Sequence, residues 1–180
     1  MTNETLDILE KRRSCRKYKT DMITEDELRA ILRAGTFAPT GMGKQSPIII
    51  AVTNKKLRDR IADENRKIGG WKEGFDPFYG APVILIVLAD KSVNVDNDTY
   101  KCDGSLVLGN MMNAAASLGI GSCWIHRAKE EFQSDFGKEI LKSLEIKGDY
   151  EGIGHIALGY PESDLPEAVK RKDNYIYYIR

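Results

Sequence analysis

With 180 residues, 42% of them hydrophobic and 30% charged, the chain has the size of one ordinary domain and enough apolar side chains for a packed core. Lys and Arg total 27, as do Asp and Glu, and the resulting formal net charge of zero argues against a general nucleic-acid binder. The longest unbroken apolar run, Val83 to Ala89, is far shorter than the roughly 18 residues of a spanning helix. The opening MTNETLDILE has no basic stretch followed by an apolar one, so a protein of the cytoplasm that does not bind membranes is expected. Cys15, Cys102 and Cys123 are odd in number and widely spaced, which fits neither a disulfide framework nor a structural zinc site.

In chain order, Thr2 or Asn3 can cap a first helix whose apolar positions are Leu6, Ile8 and Leu9. A basic loop follows. Thr24-Glu25-Asp26-Glu27 reads as the capping box of a second helix, with Leu28, Ile31 and Leu32 inward and Gly35 near its stop. Ala38 to Gly43, with one proline and two glycines, is a loop. Ile48 to Val52 is a β-branched strand, and Asn54 opens a charged surface helix to about Lys67. Gly69 to Gly80 is irregular; its Trp71, Phe75, Phe78 and Tyr79 either cover a site as a lid or cover the sheet. Pro82 to Ala89 is a central strand, apolar on both faces. Asp103 can cap a helix to Leu118, apolar nearly all round and therefore buried. Ile120 to Ile125 and Ile153 to Leu158 are further strands, with one or two helices between them over 129–144. Tyr175 to Ile179 is a strand-like run that needs a partner, such as another subunit's sheet edge. Helices and strands thus mix in one α+β or α/β domain over 1–180, with four or five strands and an arm over about 162–180.

Several signatures can be set aside. Gly43-Lys44 lacks the first glycine and the following Ser or Thr of a phosphate-binding loop, and neither Gly119-Ile-Gly121 nor Gly152-Ile-Gly154 continues to a third glycine. His126 and His155 have no companion carboxylate pattern, so no metal site is expected. Residues 10–19, EKRRSCRKYK, hold six basic side chains and one acidic one, and Lys170-Arg171-Lys172 forms a second basic knot. The two clusters either grip one anion from two sides or are two solvated faces. Arg12, Ser14 and Arg16 alternate, so an extended segment would present two arginine forks and a hydroxyl on one face, a donor set suited to phosphate.

These segments resemble the FMN-dependent nitroreductase family over nearly the whole chain. The resemblance rests on four stretches in order: Arg12 to Tyr18, Ala38 to Gln45, Asp103 to Trp124, and Gly159-Tyr160-Pro161 followed by a basic residue near 171. It implies a three-layer α/β sandwich, a central mixed sheet with helices on both faces, and a C-terminal arm exchanged in a homodimer. It implies FMN as cofactor, with Arg12, Arg13 and Ser14 at the phosphate and ribityl chain and Arg16 at the flavin N1/O2 edge. Arg171, or Lys170 or Lys172, would close the phosphate site. Pro39, Thr40, Gly41 and Gln45 would reach a flavin bound mainly by the other subunit. The loop Trp124, Ile125, His126, Arg127 would offer backbone N–H groups to flavin N5 and O4; relatives often carry a small or acidic residue where His126 and Arg127 stand. The implied activity is hydride transfer from NADH or NADPH through flavin N5 to a nitroaromatic, quinone or similar small electron acceptor, with no catalytic side chain required. The alternatives are reductive dehalogenation on the same scaffold and a flavin-binding carrier or sensor without turnover.

Overall fold

The apolar run at 83–89 lies at the centre of the molecule because both faces of its strand are covered. In the computed structural model, which describes residues 2–94 and 98–180, β1 (Pro47–Val52), β2 (Val83–Asp90), β3 (Gly121–Ile125) and β4 (Tyr150–Gly159) form one sheet in the order β1-β2-β4-β3. Every pairing is antiparallel, which corrects the expected mixed sheet. The cause lies in the connections. Helix α3 (Lys55–Ile68) and residues 69–82 bring the chain back to the end of the sheet where β1 stops, so Val52 lies opposite Ile84 and β2 must run the other way. Among the described residues, a parallel element persists as the isolated bridge Ser14–Ser122.

Val83, Leu85 and Val87 pack with Ile31, Leu108 and Met111 on one face, while Ile84, Ile86 and Leu88 pack with Ile61, Phe78, Phe132 and Ile140 on the other. The first layer is built by α1 (Glu4–Lys11), α2 (Glu25–Thr36) and α4 (Thr99–Ser117); the second by α3, α5 (Ala128–Gln133) and α6 (Asp135–Ser143). A strand covered on both sides reads as a continuous apolar run, as this one does. Asn3 caps α1, the Thr24–Glu27 capping box closes on α2, and Asn54 caps α3.

Two expectations change. Helix α4 begins at Thr99, so Asp103 is not its cap but a buried residue inside it. The helix is also not buried all round: Val107, Leu108, Met111 and Ala115 face the sheet, whereas Leu106 remains 47% exposed. Beyond Pro161 the chain is exposed, and Tyr175 to Ile179 pairs with no strand among the described residues. Among the described residues no helix is long and apolar enough to cross a membrane.

Candidate functional site

After α1 the chain runs extended along the end of the sheet. The Cys15 N–H donates to the Ser122 carbonyl and the Lys19 N–H to the Tyr160 carbonyl, each at 2.9 Å. The buried Tyr18 hydroxyl lies 2.8 Å from the Cys15 carbonyl and 3.1 Å from that of Ala157. Burial pushes this hydroxyl far above its usual range and keeps it a donor. Cys15 and Tyr18 therefore point inward, while Ser14 is half-buried and Arg16 exposed. Among the described residues no carboxylate lies within ion-pair distance of Arg12 or Arg16, in contrast to Arg29, Arg58 and Arg66. Their charge reaches β3: burial pushes the Cys123 thiol up, and Arg16, Ser14 and Arg12 oppose that shift. Arg13 folds back, its Nη1 donating to the carbonyls of Glu10 (2.6 Å) and Arg12 (2.7 Å), where it serves the C-terminus of α1. A cleft of about 380 Å³ opens between α1, Arg12, Ser122 and Leu165, and a smaller one of about 180 Å³ lies between Ser14–Lys17 and 163–166.

The loop from Pro39 to Gln45 closes on itself. Thr40 accepts from the Gly43 N–H through its carbonyl (3.0 Å) and from the Gln45 N–H through its hydroxyl (3.0 Å), with Met42 and Gln45 both at positive φ. What fixes this loop to the body is Asp103. Its carboxylate accepts from the Gly41 N–H at 2.8 Å and the Ser46 hydroxyl at 2.9 Å, and the residue is 2% exposed. No signal local to Asp103 marks this role, because its partners lie about sixty positions away.

The loop after β3 is pinned from three directions. Fully buried Asn65 on α3 donates to the His126 carbonyl at 2.9 Å. Arg127 takes a left-handed conformation (φ 78), which costs a residue with a Cβ roughly 1–2 kcal/mol, and its guanidinium lies 4.5 Å from the Trp71 ring centroid. Helix α5, which starts at the next residue, is locked onto β4. A Cβ at Gly152 would stand 2.1 Å from the Ala128 carbonyl oxygen, and fully buried Glu131 sits 3.1 Å from Nε2 of fully buried His155. His155 therefore does have a companion carboxylate, contrary to the sequence expectation; helix-to-strand packing supplies it. The His126 side chain is exposed. In the 69–80 segment, Phe78 is wholly buried and covers the sheet, whereas Trp71 contacts Phe75 at 5.2 Å, and Tyr79 lies under Arg16 at 6.0 Å. Phe78 thus covers the sheet, while Trp71 and Tyr79 lie beside Arg127 and Arg16.

Of the predicted residues, Arg12, Ser14 and Arg16 come together near Cys123 of β3. Trp124 and Ile125, expected in the loop, are the last residues of β3, paired with Ile156 and His155, and His126 and Arg127 form the turn before α5. Arg171 and Lys172 remain on the exposed arm, where Lys172 lies over Tyr175 and Lys170 near Asp173. Among the described residues no group of His, Cys, Asp or Glu could hold a metal ion.

This geometry has known counterparts. The profile of the Nitroreductase family matches residues 9–160, and the chain belongs to that family. A solved Bacteroides fragilis nitroreductase with bound FMN superposes with a TM-score of 0.86 at 31% identity, covering 99% of this chain and 100% of that one. A Bacillus subtilis protein named FMN reductase [NAD(P)H] is 25% identical over 97% of this chain and 75% of its own length. A Methanothermobacter thermautotrophicus relative, described as a candidate NADH dehydrogenase/NAD(P)H nitroreductase, is 28% identical over 67% of this chain; that match spans 60% of the relative.

Proposed function

We propose that the protein is an FMN-dependent NAD(P)H oxidoreductase of nitroreductase type, built as one domain over 1–180 and working in the cytoplasm as a homodimer. The observation that carries this reading is the Arg12–Ser14–Arg16 set, clamped beside β3 with neither arginine neutralised by a carboxylate. Two guanidinium forks and a hydroxyl in that state fit a phosphate and the electron-rich edge of a flavin. The Bacteroides fragilis relative holds FMN, and the Bacillus subtilis relative is named for FMN and NAD(P)H.

In this reading Arg12 and Ser14 hold the phosphate and ribityl chain, and Arg13 braces them from the end of α1. Arg16 stands at the N1/O2 edge, where a fixed cation favours the negative charge of the reduced ring. The end of β3 and the turn after it, with Trp124, Ile125, His126 and Arg127, present backbone N–H groups to N5 and O4. Their rigidity comes from Asn65 and the packing of α5. Pro39, Thr40, Gly41 and Gln45, steadied by Asp103, reach toward the partner's flavin, and Arg171 or a neighbouring lysine closes the phosphate site from the arm. FMN, when bound, supplies the two-electron chemistry by which NADH or NADPH reduces a nitroaromatic, quinone or similar small acceptor. The chain binds and orients, and leaves proton delivery to solvent. The exposed apolar residues Phe37, Met42 and Leu106 support a dimer, since they would otherwise face water.

The test is the visible spectrum of the purified protein, identification of the released flavin, and oxidation of NADH and NADPH with a quinone added. A yellow protein that turns over either nucleotide is expected. A colourless protein that takes up no added FMN would overturn the reading, and a yellow one that oxidises neither nucleotide would make it a carrier.

A further inference from the structure

Arg127 combines three properties that do not occur together by default. Its backbone is left-handed, a conformation that glycine adopts more easily, so the side chain is kept at a cost. Its guanidinium makes the shortest cation–ring contact among the described residues, 4.5 Å to Trp71. It also has no carboxylate within ion-pair distance and no hydrogen-bond acceptor among the described residues, while remaining partly exposed.

Its mounting is rigid on both sides. The Trp71 ring lies against the backbone of Gly69, where a Cβ would stand 2.5 Å from the ring, and it is braced by Phe75. The Trp71 carbonyl accepts from Arg66 at 3.1 Å. On the other side, buried Asn65 holds the carbonyl of the preceding residue. The ring contact satisfies the charge in part and leaves the guanidinium N–H donors without an oxygen acceptor among the described residues. A planar fork of donors, fixed in place and without a partner, is a site prepared for an oxyanion. Its location is informative too. The segment that carries Trp71 also carries Tyr79 under Arg16, so one short stretch of chain contacts both Arg127 and the cation assigned to the flavin.

We infer that Arg127, mounted on Trp71, is a specificity-determining residue that selects substrates carrying an oxyanion, a sulfonate, carboxylate or phosphate group, on the reducing dinucleotide or on the electron acceptor. This rests on the reading of the Arg12–Ser14–Arg16 segment as part of a flavin site open to substrates. Selectivity then comes from a charge outside the ring-stacking surface, which by itself would accept charged and neutral planar molecules alike.

The test uses the purified full-length protein as isolated. Calorimetric titration compares naphthalenesulfonate with the uncharged naphthalenesulfonamide in wild type, Arg127→Gln, Arg127→Lys and Trp71→Leu. Wild type should prefer the sulfonate, and the preference should shrink as salt rises. Arg127→Gln should lower the preference about tenfold or more, Arg127→Lys should restore part of it, and Trp71→Leu should weaken it while the charge remains. Two kinetic ratios then separate the sources: kcat/KM for NADPH over NADH, and for a sulfonated naphthoquinone over its uncharged parent. A fall in the first ratio in Arg127→Gln places the anion on the dinucleotide, and a fall in the second places it on the acceptor. Unchanged preference in all three comparisons overturns the inference. Failure of the flavin reading would show separately, as protein without flavin and without turnover, and the calorimetric comparison would still decide the role of Arg127.

Discussion

Arg12 lines the larger cleft beside α1 and Arg16 the smaller one beside residues 163–166, and in the proposed function they answer to different parts of the cofactor. Replacing either by alanine removes a charged hydrogen-bond donor, which costs roughly 1.5–3 kcal/mol, or about ten- to a hundredfold in FMN affinity. Arg16→Ala should also lower the flavin's reduction potential, while Arg12→Ala should leave it nearly unmoved. Dissociation constants and potentiometric titration of the two variants check this; full flavin retention and an unchanged potential in both would remove the segment from the site. The cysteines divide by environment. Cys102 is exposed, Cys15 and Cys123 are buried, and burial pushes the Cys123 thiol up, so less of it is thiolate at any given pH. A disulfide reagent near pH 8 should therefore modify one thiol quickly in the folded protein, at Cys102, and the other two only on unfolding. Peptide mapping that found Cys123 labelled first would contradict the packing. Single residues were unevenly legible in the sequence. The alternation of Arg12, Ser14 and Arg16 was readable because an extended segment has period two. Asp103 was misread as a cap because an aspartate that starts a helix and one that tethers a distant loop look the same locally; only the fold brings Gly41 and Ser46 to it.

Elements carry these residues, and two of them depend on buried carboxylates. Asp103→Ala would leave the Gly41 N–H and the Ser46 hydroxyl without their acceptor, a loss of roughly 1–3 kcal/mol for each buried group so stranded. The Pro39–Gln45 loop should loosen with it. Lower thermal stability together with faster proteolysis near Met42 and Lys44 is the expected result, and cleavage at the wild-type rate would mean that the loop holds itself. The Glu131–His155 pair anchors α5 to β4. Nε2 and Oε2 are 3.1 Å apart, and among the described residues none of the pair's ring or carboxylate polar atoms has a well-aligned hydrogen bond, so each group is the other's near polar neighbour in a site closed to water. Removing one partner, as in Glu131→Leu or His155→Leu, should destabilise by roughly 3–5 kcal/mol, because the other stays buried and unpaired. The double replacement should cost clearly less than the sum of the singles. A denaturant-unfolding cycle measures the coupling, and strictly additive single effects would show that the two groups act independently. The helices and strands themselves could be read from capping residues and apolar period. This pair could not, since Glu131 lies on a helix and His155 on a strand, and no sequence spacing encodes that contact.

At the scale of the whole molecule, the chain leaves apolar side chains exposed, among them Phe37, Met42 and Tyr175 to Ile179. Sheet order could not be read from the sequence, because a continuous apolar strand is central whether its neighbours run parallel or antiparallel. The observed order leaves two edges. The outer edge of β3 is partly taken by the Ser14 bridge and the Cys15 N–H, whereas among the described residues β1 pairs on one side, with β2. Beside β1 lies a groove of about 460 Å³ lined by Leu32, Ala38, Pro47, Ile48 and Val107. Tyr175 to Ile179 stands in water with Ile179 fully exposed and Tyr177 at 79%, a state its composition does not favour. An arm that adds a strand to the partner's β1 edge would satisfy both surfaces, backbone pairing giving affinity and alternate Tyr and Ile side chains packing into the groove. Because the Pro39–Gln45 loop borders the same groove and the arm carries Arg171, dimer formation and FMN binding should be thermodynamically linked. Deleting residues 174–180 while retaining Arg171 is therefore expected to weaken the dimer and FMN affinity together, with added FMN partly restoring the dimer. Sedimentation velocity over a dilution series, with and without FMN, reads both effects. A truncated protein that stays dimeric and fully yellow at the lowest concentration would show that the arm contributes to neither.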